Sequence, residues 1–132
     1  MLKIKVLTGV FAICLVLSAC VKYHDFYNVK DALLPSAASQ MSQDDLDKAV
    51  IKAATMRGWV ARVISSGLLR AEITKRRHRA AIEIRISQNA LSIKNISTEN
   101  LTDEDGQVHR NYNRWVRNLE SDIKTVVARG KK

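Results

Sequence analysis

"WVARVISSGLLRAEITKRRHRAAIEIRISQNALSIK", residues 59–94, decides the fold through its side-chain period. Trp59, Ala61 and Val63 alternate with Val60, Arg62 and Ile64, and beyond "SSG" Leu69, Ala71 and Ile73 alternate with Arg70, Glu72 and Thr74. Past "KRRH", Ala80, Ile82, Ile84 and Ile86 alternate with Ala81, Glu83 and Arg85; past "SQN", Leu91 and Ile93 alternate with Ser92 and Lys94. A period of two places one set on each face of a strand, and short turns between such runs predict an antiparallel meander of four strands. One face is apolar and the other carries Arg62, Arg70, Glu72, Glu83, Arg85 and Lys94. Opposite charges on neighbouring strands can pair, so the charged face is not read as a dedicated polyanion site. The uncompensated excess falls in the turn, where Lys75, Arg76, Arg77 and Arg79 are nearly contiguous and form a candidate surface for an anion or a partner.

Helical periods flank the meander. "SQDDLDKAVIKAATMRGW" begins with Ser42 as a cap, places Asp44 and Asp45 in the first turn, aligns Leu46, Ala49, Val50 and Ala53 on one face, and has Gly58 past its end. In "NYNRWVRNLESDIKTVVARG", Tyr112, Trp115, Val116, Leu119, Ile123, Val126 and Val127 form one stripe, with Asn111 as the expected cap and Arg129-Gly130 as the stop. Two apolar stripes and one apolar sheet face are buried together by laying both helices on the same side of the sheet. The expected fold is a two-layer α+β sandwich of order α-β-β-β-β-α, occupying residues 42–130 as a single domain.

The N-terminus carries an address. Lys3 and Lys5 precede an apolar run from Val6 to Leu17, and small residues follow, the layout of an export signal. The run is too short to cross a bilayer, which takes about 20 apolar residues. Leu17-Ser18-Ala19-Cys20 resembles the bacterial lipobox. That resemblance implies removal of residues 1–19, lipidation of Cys20 and a palmitate-type acyl anchor, because stable attachment takes more than one acyl chain. Val21 follows the cysteine in place of an aspartate, and by resemblance to enterobacterial sorting this implies the outer membrane, facing the periplasm.

Of the two cysteines, Cys14 lies in the segment to be removed and Cys20 is consumed by lipid, which leaves no thiol for a disulfide, a nucleophile or a metal. Of 22 basic residues against 13 acidic ones, only Lys3 and Lys5 lie in that segment, so the mature chain keeps a net charge of +7. In an exported protein this balance points to anionic head groups, glycolipid phosphates or an acidic envelope protein rather than nucleic acid. Residues 20–41 lack sustained periodicity, contain Pro35 and are expected to be a flexible tether, with Tyr23, Phe26 and Tyr27 resting either in the head groups or on the domain. "NISTENLTDEDGQVHR" is expected to be a solvated loop turning at Asp105-Gly106. It does not fit a calcium loop, because Leu101 and Tyr112 would stand at ligand positions.

"RGW" (57–59), "RHRAAIEI" (77–84), "SI" (92–93), "STENL" (97–101) and "HRNYNRWVRNL" (109–119) resemble the recurring pattern of a family of small, uncharacterised proteobacterial lipoproteins. The resemblance spans roughly residues 46–123 and implies a lipoprotein with a shared fold, without implying an activity. Asn95 stands where members of that family often carry a tyrosine. A meander with these turns can bring His78 and His109 near Asn111 and Asn113, a possible ligand site. The spacing of these residues is not that of a zinc site. No Gly-x-Ser-x-Gly elbow and no glycine-rich phosphate loop is present. The expected function is therefore a non-enzymatic binding or structural module of the cell envelope, without cofactor. The alternative is a small ligand-binding or metal-binding protein centred on His78 and His109.

Overall fold

The computed structural model describes residues 22–130. The elements run β1 (Tyr23–His24), β2 (Val29–Leu33), a 3-10 turn (Ser36–Gln40), α1 (Gln43–Met56), β3 (Val60–Ser65), β4 (Leu68–Lys75), β5 (His78–Ile86), β6 (Ala90–Glu99), β7 (Val108–His109) and α2 (Arg110–Arg129). The main sheet is antiparallel throughout, in the order β2-β6-β5-β4-β3, and β1 pairs with β7 in a separate two-stranded ribbon. The α+β sandwich expected from the periodicity is the observed architecture.

The alternation produces the layers. Leu69, Ala71 and Ile73 of β4 stand opposite Ile84, Ile82 and Ala80 of β5, and all six are buried. Ile84 and Ile86 continue to Ile93 and Leu91 of β6. This face meets Leu46, Val50 and Ala53 of α1 and Tyr112, Val116, Leu119, Ile123 and Val127 of α2 in one hydrophobic core that also holds Trp59. Burial of each large aliphatic side chain contributes about 1.5–3 kcal/mol.

Local chemistry sets the ends of the elements. The Ser42 hydroxyl accepts from the Asp45 N–H at the start of α1. Gly67 closes the β3–β4 turn at φ +78, and a Cβ there would lie 2.9 Å from the Ile86 carbonyl oxygen. The buried carboxylate of Asp47 accepts from the Gly67 N–H and from the Gln43 amide, which fastens the first turn of α1 to that hairpin. The β4–β5 turn is tighter than "KRRH": Lys75 pairs with His78, leaving Arg76 and Arg77 at the tip with Arg76 at φ +57.

Three expectations are corrected. Residues 23–41 are not a flexible tether but part of the domain: β2 adds a fifth strand beside β6, and Val29, Ala38 and Met41 are buried. The composition conceals this because β2 is short, irregular between Val29 and Ala32, and turned by Asp31 at φ +46. Strand β6 continues through "NISTE" to Glu99, pairing with Arg79, Ala80 and Ala81, so the irregular loop is confined to the residues before Val108. The helix α2 is capped by His109 rather than Asn111: the His109 Nδ1 accepts from the Asn111 N–H at 3.2 Å. The signal segment and Cys20 lie outside the described residues.

A candidate basic surface around stacked histidines

The β4–β5 turn and the start of α2 come together at one end of the sandwich. His78, the first residue of β5, stacks on His109, the last residue of β7, with ring centroids 6.5 Å apart and planes 16° from parallel. Their tautomers are set by different partners. His78 Nδ1 lies 2.7 Å from the Asn100 carbonyl, which can only accept, so this nitrogen carries the proton. His109 Nδ1 accepts the helix-capping N–H, so in the neutral ring the proton is on Nε2. Tyr23 meets the His109 ring edge-on at 5.6 Å.

Cations surround this stack. Lys75 places its ammonium 5.7 Å from the centre of the Trp115 ring, which ties the turn to α2. Asn100 donates to the Arg77 carbonyl and holds the turn from the other side. Arg110 and Arg114 project from the first turns of α2, with Arg114 donating to Asn111 Oδ1. Lys22 is joined here because its carbonyl accepts from the Arg110 N–H at 2.8 Å. Among the described residues Lys75, Arg76, Arg77, Arg110 and Arg114 form no ion pair, whereas Arg79 faces Glu99 at 3.6 Å. Burial lowers the pKa of His109 below the usual imidazole value, and the charges of Arg110, His78, Lys22 and Arg114 act in the same direction.

Lys75, Arg76, Arg77, His78, His109 and Asn111 therefore converge, while Arg79 is set apart by its carboxylate. Asn113 does not join them. Its side chain is buried, accepting from the Tyr27 N–H at 2.8 Å and donating to the Asp25 carbonyl at 2.9 Å. It clamps the β1–β2 connection onto α2. The aromatic residues of that connection also dock on the domain: Phe26 packs edge-on to Tyr112, and the Tyr27 hydroxyl donates to Glu120 beneath the Arg117 guanidinium. Trp59 is core and Trp115 half-buried. Sequence reasoning missed Lys22, Arg110 and Arg114, since nothing local announces that the chain entry pairs with the helix start.

The exposed sheet face is largely self-neutralised. Arg70 pairs with Glu72 and Arg85 with Glu83, each within a strand rather than across the sheet. Among the described residues no group of three or more His, Cys, Asp or Glu side chains is placed to hold a metal ion, and no helix is long and apolar enough to cross a membrane. No protein-family model, curated protein or solved structure matches the chain.

Proposed function

We propose that this protein is a periplasm-facing lipoprotein, anchored in the outer membrane through Cys20, that acts as a non-enzymatic binding module of the envelope and rests its basic end on anionic head groups or glycolipid phosphates. The observation that carries this reading is the position of Lys22, held by Arg110 among cations from the β4–β5 turn and α2. Cys20 precedes Lys22 by two residues. Two residues span at most about 7 Å, so an acyl anchor on Cys20 brings this end against the bilayer surface. Each lysine or arginine near an anionic surface contributes about 1 kcal/mol of attraction, within a Debye length of about 10 Å at 0.1 M salt.

A soluble form beginning at Lys22 retains every described element and provides the test. It is expected to bind phosphatidylglycerol vesicles but not phosphatidylcholine vesicles, to lose that binding as salt rises, and to bind more weakly when Lys75, Arg76 and Arg77 are replaced by alanine. Absent or salt-independent binding would remove the head-group reading. An envelope protein recovered by crosslinking in cells, and lost in the same variant, would transfer the basic end to a protein partner.

A further inference from the structure

We infer that the free edge of β3 takes up an extended strand from an acidic partner protein, adding a sixth strand to the sheet. Among the described strands β4 is the sole neighbour of β3, so the outer backbone groups of β3 have no ladder. Such an edge is a template for strand addition unless it is blunted. The opposite edge is blunted: β2 has five residues, an irregular register, Asp31 at φ +46 and Pro35 just beyond it. β3 has neither proline nor acid, and exposes Val60 by 75 % and Ile64 by 49 %. Its register shift lies between Val63 and Ser65, which leaves Val60–Val63 regular and available for pairing.

The row of side chains across the open face specifies the occupant. Lys94 stands opposite Glu83, Glu83 opposite Arg70, and Arg70 opposite Arg62. Charges alternate along this row until the edge, where two arginines are adjacent. Like charges directly opposite one another are unfavourable, and a carboxylate on a next strand beside Arg62 restores the alternation. Two residues along, Val60 calls for an apolar neighbour on the same face, and Ala61 and Val63 call for apolar neighbours on the core side. The fitting segment is short, extended and β-branched, with one acidic residue opposite Arg62. A second copy does not supply it: β3 holds no acid, so antiparallel edge-to-edge pairing sets Arg62 against another Arg62 or an apolar side chain. Because Val60 pairs with Glu72 near the basic turn and Ser65 with Leu68 at the far end, β3 leads away from that turn, and a strand added antiparallel to it runs toward the turn.

The test uses the full-length chain in detergent micelles with two peptides, Thr-Val-Glu-Val-Val-Thr and its lysine counterpart with Lys in place of Glu. The acidic peptide is expected to slow amide hydrogen exchange in β3 and to bind more tightly than the lysine peptide. Arg62→Glu changes an exposed side chain and leaves the core intact. It is expected to weaken the acidic peptide about fivefold and to favour the lysine peptide instead. Equal binding of both peptides, absence of binding, or protection at another element would overturn the inference. Concentration-dependent protection of β3 before any peptide is added would overturn it in favour of a second copy.

Discussion

The imidazole of His78 lies parallel to that of His109 while the latter caps α2 through Nδ1. A capping nitrogen must keep its lone pair, so protonation of His109 and capping exclude each other. Burial and the surrounding cations hold the folded pKa of His109 below the unfolded value. The unfolded state therefore binds the proton first as pH falls. Its contribution to stability is complete above the ordinary histidine value of about 6.5 and is lost as pH falls through the lower folded value. His109→Asn supplies a capping oxygen that does not titrate and should flatten the melting temperature between pH 7.5 and 5. His109→Ala should cost about 1 kcal/mol at pH 7.5. A wild-type melting temperature that is level across this window, measured by circular dichroism with Asp and Glu contributions matched in the Asn variant, would show that the cap does not sense the proton.

Asn113 carries a structural consequence. Its replacement by alanine removes a buried side chain and leaves the part-buried Tyr27 N–H and Asp25 carbonyl without these partners. The expected cost is about 2 kcal/mol or more. Limited proteolysis should cut first between residues 23 and 33, and hydrogen exchange should accelerate in β2 before the rest of the sheet. Uniform loss of protection across all strands would show that the segment is not a separable layer.

Ile84 sits in the middle of the apolar face, between Leu69 and Ile93, with no exposed surface. Ile84→Asp buries a charge without a partner and should destabilise the domain by about 4 kcal/mol or more. Loss of the cooperative transition in urea is the expected readout. The exposed Lys94→Thr, on the opposite face of the neighbouring strand, should leave that midpoint nearly unchanged.

Acylation at residue 20 needs the thiol. Cys20→Ser should abolish palmitate labelling in cells and leave a precursor larger than the wild-type protein on a gel. Labelling that persists in the variant would place the anchor elsewhere.

The parts of the fold legible in the sequence are those whose signal is local. The period-two runs place Ile82, Ile84 and Ile93 on the core face, and Ser42 announces α1. Strand β2 was not legible: as an edge strand it buries Val29 alone among its five residues, too little for a pattern. The far half of β6 was hidden for a related reason, since "NISTE" is mostly exposed and owes its conformation to the ladder with Arg79, Ala80 and Ala81. A histidine cap escapes composition rules because Asn111, one of the usual capping residues, follows two positions later. The meeting of His78 with His109 was foreseeable from their places at a turn and a helix start. The clamp of Asn113 on Tyr27 joins residues far apart in the chain, and short-range spacing does not reveal it.

The fastening of Lys22 and Tyr23 to the start of α2 has a mechanical meaning. A lipoprotein on a long leash samples every orientation, and each surface then meets the bilayer or the periplasm at random. Here the chain enters the domain already in register with His109, and the Asn113 clamp grips it again a few residues later. Were lipid attached at Cys20, as proposed, such a molecule would behave as a bracket rather than a buoy: its basic end would be turned to the membrane, and the edge of β3 would be held away from random encounter with it.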